Sequence, residues 1–596
     1  MAEYRPPLRD VAFVLDNLVD LDGLCALDEF SDLDPATLHG ALEENARFVA
    51  DVIAPLNRVG DVEGSVHDPA TNLVRTPTGF PDAYGQYVAA GWGGVPFPSA
   101  YDGGGFPWLA GIVLQEFISS ANMAFSMAPL LTQGAIDLLL EHGSEELKER
   151  YLRRMVSGEW TGTMNLTEPQ AGSDVGAVRT KAVPQDDGSY RITGTKIYIT
   201  FGEHDMADNI IHLVLARTPD APPGTKGISC FVVPKYLVND DGSLGERNDA
   251  VCVSIEHKMG IKASPTCVMS YGEDGGAVGY LIGEENQGMR YMFTMMNNAR
   301  LSVGLEGLSL AERAYQDAYT YALERHQGRA PGAPAGEQSL IVEHPDVRRM
   351  LLTMRSLVEA MRNIIYVTAE AIDVSRHHAD EAVRAAQTEF VDLLIPVAKA
   401  WCTDMGIEVT SLAIQVWGGM GFIEESGVPQ HYRDARITTI YEGTNGIQAM
   451  DLVGRKLGLR GGAAVMELFD TMAGIDADLA AAGGDLDGIR KALADALATT
   501  RTTTEWVMTN GLANPVDALA GATPFLRMFS LSVAGWLMAR QALAAVRIGG
   551  EEGAAKLATA QFFCEQWLPQ VHGLTAQVTA GAAPLMDLTP DQLASR

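Results

Sequence analysis

The sequence predicts a mostly helical protein of the α+β class, in which a small β domain interrupts a chain of helices. Three observations predict this architecture. The chain has 596 residues, several times more than one hydrophobic core usually supports. Apolar residues recur at helical spacing near both ends of the chain. Between residues 190 and 255, short β-rich runs are separated by Gly, Asp and Pro, as in a sheet or barrel.

The first region, residues 1–157, is expected to be an N-terminal helical domain. From Leu38 to Ile53, apolar residues recur at helical spacing, and Pro55 ends the pattern. A later apolar helix ends at Gly143, and Ser144 is placed to begin the next one. Helix signals therefore continue to the end of this region.

The second region, residues 158–286, is expected to be a middle β domain. The pattern changes near Trp160, after which five runs rich in β-branched and aromatic residues follow. Such short runs between turn residues are typical of an antiparallel sheet or a β-barrel-like domain. The runs are residues 190–193, 196–200, 210–216, 228–233 and 250–255.

Long helices return in the third region, residues 287–457, which we assign to a C-terminal four-helix bundle. Three helices are predicted, at about Met289–His326, Pro345–His378 and Glu381–Gly418. A Pro-, Gly- and Ala-rich loop, residues 328–338, joins the first two.

The last region, residues 463–596, is expected to be an additional C-terminal helical domain. A glycine-rich boundary precedes it, and the region is rich in Ala and Leu. Five large apolar residues are spaced three and four apart, which predicts one buried helical stripe. The stripe consists of Phe525, Phe529, Val533, Trp536 and Leu537.

The composition excludes some classes of function. The formal net charge is −32, whereas binding to a phosphate backbone needs positive charge, so we expect no nucleic-acid partner. An acidic surface can simply favour solubility, or it can attract a basic electron-accepting partner. The six cysteines are scattered without a C-x-x-C pair, which argues against a zinc site or a disulfide framework and fits a reducing compartment.

No segment is predicted to direct the chain to a membrane. The apolar run Val11–Leu15 is too short for a secretory signal. The most apolar later stretch, Met528–Ala539, is flanked by Arg527 and Arg540 and is too short to span a bilayer. We therefore expect a soluble, cytoplasmic protein without membrane insertion.

Residues 164–174 form the first segment that can carry chemistry. They contain Pro and Gly, which leave backbone N–H groups free, while Thr167 and Ser173 add hydroxyl groups. Such groups can hydrogen-bond the edge of a polar heterocycle or a phosphate. Taken alone, the segment could equally be a structural turn.

The second segment, residues 196–205, carries Tyr198 and Thr200 two positions apart. Alternation in a strand would place both side chains on one face. An aromatic face beside a hydroxyl suits a flat ring with a polar edge. The alternative is an ordinary half-buried strand.

The third segment, residues 415–422, places three glycines after a long helix. Glycines allow close approach of the backbone to a ligand, although they could also be a plain helix stop. They are not a dinucleotide-binding fingerprint, because no strand precedes them.

The fourth segment, residues 432–448, contains Glu442 between Ile440-Tyr441 and Gly443. A carboxylate beside apolar groups on a flexible turn can have a raised pKa, as a general base requires. The alternative is a single solvated surface glutamate.

Together, the four segments resemble the acyl-CoA dehydrogenase family over about Leu38 to Leu457. The added length is similar to a bacterial branch with a C-terminal helical extension, which includes 3-methylmercaptopropionyl-CoA dehydrogenases. Residues 258–272 are particularly similar to that branch. The resemblance implies α,β-dehydrogenation of an acyl-CoA thioester to the 2,3-enoyl-CoA, as in fatty-acid β-oxidation.

The resemblance also implies an FAD cofactor held between the middle domain and the bundle. Thr200 matches the hydroxyl near flavin N5, and Tyr198 stands where better-known members carry Trp. Arg325 matches the arginine that reaches an FAD phosphate across a subunit interface, and Gln327 replaces a common Thr. The residues that match cofactor positions are Leu166, Thr167, Ser173, Tyr198, Thr200, Arg325, Gln327, Gln415, Gly418, Gly419, Thr444 and Asn445.

For the substrate, the resemblance implies contacts from Ser173, Asn297, Arg300 and Gly443. Asn297 replaces the Asp that often contacts the CoA chain. Some relatives carry their base just before the arginine that matches Arg300, but here that position is Ala299. Glu442 is then expected to take the α-proton while the β-hydrogen leaves as hydride to flavin N5.

Two rival functions remain open from the sequence. An acyl-CoA oxidase shares the fold and passes electrons to oxygen, and a catalytically silent scaffold would share the fold alone. For the dehydrogenase, the resemblance implies electron-transfer flavoprotein as the acceptor and a homodimer in which the extension covers the tetramer-forming surface. The apolar stripe could instead contact a membrane, although a Lys/Arg-rich polar face is lacking.

Overall fold

The computed structural model describes residues 3–594, except for the side chains of Asn297 and Leu512. The chain forms two compact units. The β-containing unit comprises residues 40–302, and the helical unit comprises residues 1–39 and 303–596. Helices dominate, and the main sheet lies in the middle of the chain, as the sequence predicted.

The helices follow the predicted order, and the capping residue Ser144 lies at the start of a helix, as expected. Ser144 accepts a hydrogen bond from Leu147 N at 3.3 Å, and Gly158 ends the same helix in the left-handed conformation. The α-helices are α1 Leu8–Asn17, α2 Leu21–Cys25, α3 Pro35–Phe48, α4 Leu56–Glu63, α5 Phe80–Ala89, α6 Trp108–Ala121, α7 Met123–His142, α8 Glu145–Ser157, α9 Gly288–Glu324, α10 Pro345–His377, α11 Glu381–Pro396, α12 Cys402–Trp417, α13 Val428–Ala435, α14 Asn445–Asp451, α15 Ala463–Gly474, α16 Asp476–Ala482, α17 Asp487–Ala513, α18 Pro515–Ala520, α19 Ala522–Ile548, α20 Gly550–Gln566, α21 Gln570–Thr579, α22 Ala583–Met586 and α23 Pro590–Leu593.

All five predicted β runs are strands, and two of them join into the single strand β5. The sequence analysis missed the other strands, including a small hairpin, β1 and β2, within the region expected to be helical. The strands are β1 Val66–Asp68, β2 Leu73–Arg75, β3 Trp160–Asn165, β4 Lys181–Pro184, β5 Tyr190–Thr200, β6 Asn209–Ala216, β7 Ser229–Pro234, β8 Tyr236–Val238, β9 Leu244–Arg247, β10 Ala250–Ile255, β11 Thr266–Tyr271 and β12 Ala277–Leu281.

The main sheet has eight strands in the order β10-β11-β5-β12-β7-β6-β3, with β4 paired to β5. The expected antiparallel arrangement holds except at one edge, where β3 runs parallel to β6. β3 is fully buried, and a strand buried on both faces lacks the alternation that the sequence analysis relied on. Buried apolar residues such as Ile192, Phe231 and Met269 form the core of the sheet.

The long helices of the predicted bundle lie within one to two residues of their expected ends. The third is not a uniform α-helix, because a π-helical turn, Val397–Trp401, connects α11 to α12. Such turns often occur at functional positions, and this one carries the buried Lys399.

The first 39 residues belong to the helical unit, although the sequence analysis placed them in an N-terminal domain with residues 40–157. A buried charged cluster joins α1, α10, α19 and α20 and explains this assignment. Lys556 Nζ pairs with Asp10 and lies 3.2 Å from Glu359 Oε1. Gln541 Nε2 donates to Glu359 Oε2 at 2.7 Å. Burial opposes ionisation of Asp10, but Lys556 outweighs it and lowers the Asp10 pKa to about 2.

The predicted stripe of the extension is buried within the helical unit, in helix α19. The apolar stretch was predicted to be too short to span a bilayer, and this prediction of its length is wrong, because α19 has 27 residues. By length and composition, α7 and α19 could both cross a membrane, yet 89% and 83% of their apolar windows are buried in the protein. The stripe therefore packs against other parts of its own unit.

Candidate functional site

The first two predicted segments meet in the β-containing unit. Ile197 N donates to Thr167 O at 2.9 Å, so the Leu166–Ser173 loop runs beside strand β5. Ser173 is exposed at the end of this loop. The neighbouring backbone of Leu166 accepts a hydrogen bond from Lys196 Nζ at 2.9 Å.

Glu168 anchors this loop, and the sequence analysis did not single it out. Its carboxylate accepts hydrogen bonds from Arg179 N, Thr180 N and Thr180 Oγ1 and pairs with buried Lys196 Nζ at 2.9 Å. Burial alone would raise the pKa of Glu168, but Lys196 and these donors lower it to about 2. The sequence did contain a signal for this pair, because Glu168 lies in the first segment and Lys196 begins the second.

Tyr198 lies at a β-bulge, which the expected simple alternation did not include. The pairing of β5 with β11 shifts register between Lys196 and Ile199, and Tyr198 has a φ of 60°. The ring is 59% exposed, whereas Ile199 is buried and Thr200 is half-buried. Strained backbone of this kind is concentrated at functional sites.

A narrow cavity lies between α6, α7, β3 and the start of α9. Trp108, Met164 and Met295 are among its lining side chains, and Ala299 also lines it. The next residue, Arg300, is 5% exposed. The helix position at which some relatives carry a base therefore borders an apolar cavity, but its methyl group has no acid–base capacity. The side chain of Asn297 is outside the described part of the structure.

Glu442 lies in the helical unit, on a turn before helix α14. It is half-buried and has a φ of 55°, and Gly443 follows with a φ of 82°. Gln448 Nε2 lies 3.4 Å from Glu442 O and 3.3 Å from Gly443 O and donates to both. A non-glycine residue in this conformation costs about 1–3 kcal/mol, a strain typical of active sites.

A second carboxyl group, Glu306 of α9, lies behind this turn and was missed from the sequence. Glu306 is fully buried, and its Oε2 accepts a hydrogen bond from the Tyr441 hydroxyl. Burial raises the pKa of Glu306 to about 8, and the negative charge of Glu442 acts in the same direction. The signal was available, because Glu306 is the only charged residue in the apolar helical stretch 301–310.

The residues after Glu442 hold the turn within the unit. Thr444 Oγ1 caps α14 by accepting from Ile447 N at 3.2 Å. Asn445 Oδ1 accepts from buried Lys399 Nζ at 2.9 Å, and Asn445 Nδ2 donates to Asp404 Oδ1 at 2.7 Å. The side chains of the two residues predicted to contact cofactor therefore also have structural partners.

The remaining predicted cofactor residues meet elsewhere in the helical unit. The Trp417 ring stacks on Tyr321 with centroids 4.1 Å apart, which brings the start of the glycine segment beside the end of α9. Arg325, Gln327, Gln415, Gly418 and Gly419 are all exposed. Gly418 has φ 60° and ψ −139°, a conformation that favours glycine.

These residues fit the parts of an FAD molecule. The exposed Tyr198 ring and the Thr200 hydroxyl suit a flat heterocycle with a polar edge, and exposed Arg325 can pair with a phosphate. No atom of the described residues lies within 4 Å of a Cβ built on Gly419, so this segment presents open surface to a ligand. Among the described residues, no cluster of His, Cys, Asp and Glu could hold a metal ion.

Replacing Arg325 by alanine is expected to weaken cofactor retention more than folding. Its guanidinium is exposed, and its loss removes one charge-assisted hydrogen bond of about 1.5–3 kcal/mol. The flavin-to-protein ratio after gel filtration measures the effect. Arg329→Ala, an exposed arginine of the same loop, is the control and should keep its flavin. An unchanged ratio in Arg325→Ala would refute the cofactor contact.

Four family models match successive parts of the chain. They are the acyl-CoA dehydrogenase N-terminal domain at residues 41–159, the middle domain at 163–272, the C-terminal domain at 286–457, and the acetyl-CoA dehydrogenase C-terminal-like domain at 468–589. The last match covers most of the extension.

Similar proteins extend over nearly the whole chain. The 3-methylmercaptopropionyl-CoA dehydrogenase of Ruegeria pomeroyi is 45% identical over 97% of this chain and 98% of its own. A butyryl-CoA dehydrogenase of Syntrophomonas wolfei is 37% identical over 98% of both chains. The crystal structure of Caenorhabditis elegans ACDH-11 in complex with C11-CoA covers 95% of this chain and 93% of that chain, with 19% identity and a TM-score of 0.75, so it shares the fold.

Proposed function

Because the chain belongs to the acyl-CoA dehydrogenase family of FAD-dependent oxidoreductases, we propose that it oxidises a short-chain acyl-CoA with Glu442 as the base. The observation that carries the role of Glu442 is its half-buried carboxylate on a strained turn held by Gln448. Ala299, at the other position where relatives carry a base, cannot accept a proton. The matched dehydrogenases favour this function over an oxidase or a silent scaffold.

The reaction removes one hydrogen from each of two neighbouring carbons. Glu442 accepts the α-proton of the thioester, and the electron pair left on the α-carbon forms the new double bond. Bound FAD supplies the acceptor for the β-hydrogen and its electron pair. The Glu442 backbone N–H is assigned to polarise the thioester carbonyl as negative charge develops on it. Arg300 and Gly443 belong to the proposed substrate-binding set.

The proposed substrate is a short, unbranched acyl group. A 3-methylmercaptopropionyl group has the length of pentanoyl with sulfur in place of one methylene, and butyryl is one atom shorter. Those names describe the two relatives. In this chain, Trp108, Met164 and Met295 line the cavity of the β-containing unit. Methionine side chains adapt readily to a chain that contains either carbon or sulfur.

A panel of acyl-CoA esters tests this proposal. We expect anaerobic flavin bleaching to be most efficient with butyryl-, pentanoyl- and 3-methylmercaptopropionyl-CoA, and at least about tenfold less efficient with palmitoyl-CoA, because excess chain length cannot be accommodated without cost. Faster bleaching with palmitoyl-CoA would refute the short-chain assignment. A purified protein that holds flavin but bleaches with none of the esters would refute the dehydrogenase function.

The acceptor and the assembly are further parts of the proposal. The net charge of −32 supports a basic electron-accepting partner, and electron-transfer flavoprotein is the expected one, rather than oxygen. Rapid reoxidation of the reduced enzyme by air would contradict this. The burial of the extension stripe on its own chain supports a homodimer, and light scattering that gives a tetramer mass would contradict it.

The proposed location is the cytoplasm. All six cysteines are buried and free, as suits a reducing compartment. Recovery of the protein only with membranes on cell fractionation would overturn this location.

A further inference from the structure

A buried carboxyl group lies behind the turn that carries Glu442. Glu306 is fully buried in α9, and its Oε2 accepts the hydroxyl hydrogen bond of Tyr441, the residue before Glu442. Among the described residues, Glu306 Oε1 has no hydrogen-bond partner. The proposed reaction uses Glu442 alone and leaves this second carboxyl group without a role.

The surroundings of Glu306 favour a neutral carboxylic acid. Charged groups face it from two elements: Glu442, on the adjoining turn, opposes a negative charge, and Lys399, in the π-helical turn, favours one. Lys399 Nζ also donates to Asn445 Oδ1 at 2.9 Å, so its charge is shared with the network around α14. Full burial disfavours ionisation further, and two neighbouring carboxyl groups do not readily both ionise.

The hydrogen bond from Tyr441 connects Glu306 to the turn that carries Glu442. Glu442 is held in the left-handed region, a conformation that persists only when surrounding contacts enforce it. Gln448 contacts the backbone oxygens of the turn from one side. The Tyr441 side chain, which donates to Glu306, is a further attachment of the turn beside the Thr444 and Asn445 contacts, and Tyr441 adjoins Glu442 directly in sequence.

We propose that Glu306 is a positioning residue that fixes Tyr441 and thereby the Glu442 turn, and that its ionisation at alkaline pH makes Glu442 a stronger base. The inference rests on the proposed role of Glu442 as the base. Glu306 is not itself a catalytic residue, because it acts through Tyr441.

The pH dependence follows from the direction of the shift. Burial raises the pKa of Glu306 to about 8, with Glu442 acting in the same direction and Tyr441 and Lys399 acting against it. Above that pH, a second negative charge lies beside Glu442 and increases the tendency of its carboxylate to accept a proton, while Tyr441 still donates to ionised Glu306. Asp434 is a further acidic group that faces Tyr441. The rate should therefore rise as pH rises through about 8.

Glu306→Gln tests the charge. An amide keeps an acceptor for Tyr441 but cannot ionise, so the alkaline rise in kcat near pH 8 should disappear or move by at least one pH unit. Glu370→Gln is the matched control, because burial also raises the pKa of that carboxyl group, yet it accepts from Asp20 N in another part of the unit. It should keep the wild-type profile. A Glu306→Gln profile identical to wild type would overturn the proposal.

Glu306→Leu, Tyr441→Phe and the double variant test the positioning. Each single change should lower kcat about tenfold to hundredfold with KM changed less than about threefold, because small displacements of a base are costly. The double variant should be no worse than the poorer single one, since both remove the same attachment. Fully additive losses, or a Glu306→Leu enzyme within about twofold of wild type, would refute the proposal. If one of these refuting results appears while Glu442→Gln is inactive, only the positioning role of Glu306 is refuted. If Glu442→Gln is active, the assignment of Glu442 as the base is refuted instead.

Discussion

Glu442→Gln should retain the fold, the flavin and ligand binding but lose turnover by about 10²–10⁴ or more. The amide is nearly isosteric with the carboxylate and can occupy the same half-buried turn, but it cannot take the α-proton. No substitute base stands at Ala299, and the neighbouring Glu306 is fully buried and bonded to Tyr441. Steady-state kinetics on flavin-replete enzyme with butyryl-CoA measures the loss.

Glu425→Gln is the control for this change, because Glu425 is an exposed acidic residue of the same unit. It should leave turnover unchanged. If Glu442→Gln keeps a tenth of the wild-type rate, Glu442 is not the base. Because the flavin content is measured in both proteins, loss of cofactor cannot imitate loss of the base.

Lys556→Met should lower the free energy of unfolding by about 3–5 kcal/mol. The Lys556 side chain is 4% exposed and its ammonium group lies between Asp10 and Glu359, so its removal takes the ion-pair partner from Asp10 and leaves buried Glu359 with Arg355, at 3.1 Å, as its cation. Methionine keeps the apolar length of the side chain and isolates the effect of charge. Denaturation by urea, followed by circular dichroism, measures the change.

Arg490→Ala is the matched control within the extension. Arg490 pairs with Asp476 at 2.8 Å, but both side chains are more than 40% exposed, so the loss should be much smaller than that of Lys556→Met. A loss below about 1 kcal/mol in Lys556→Met would contradict the account of the cluster. The lowered Asp10 pKa also predicts how stability depends on pH. The contribution of Asp10 to stability is present above its ordinary pKa of 3.8 and is lost as pH falls through about 2.

The sequence predicted those parts of the fold that depend on local patterns. Helical periodicity placed α9 and α10 within one to two residues, and turn residues separated the strands between 190 and 255. β3 was missed because both of its faces are buried, which removes the alternation of a half-exposed strand. The membership of α1 in the helical unit depends on Asp10 and Lys556, near opposite ends of the chain, and no local pattern reveals such a pair.

The candidate site was predictable only where motif and local chemistry agreed. Glu442 and its glycine could be selected from the sequence, and the chain's family membership agrees with the resemblance on which that selection drew. The bulge at Tyr198 could not be predicted from the sequence, because a register shift depends on the partner strand β11. Glu306 and Glu168 were overlooked because an isolated acidic residue is usually exposed, whereas here each has buried partners.

Hydrogen exchange at the α-carbon of acetyl-CoA tests the central claim most directly. Acetyl-CoA has no β-carbon and cannot be dehydrogenated, so exchange of its α-hydrogens with deuterated water reports proton abstraction alone. Flavin-replete wild-type enzyme should catalyse this exchange, and Glu442→Gln should be slower by about 10²–10⁴. Exchange by the Glu442→Gln enzyme at the wild-type rate would show that another group removes the proton and would contradict the assignment of Glu442 as the base.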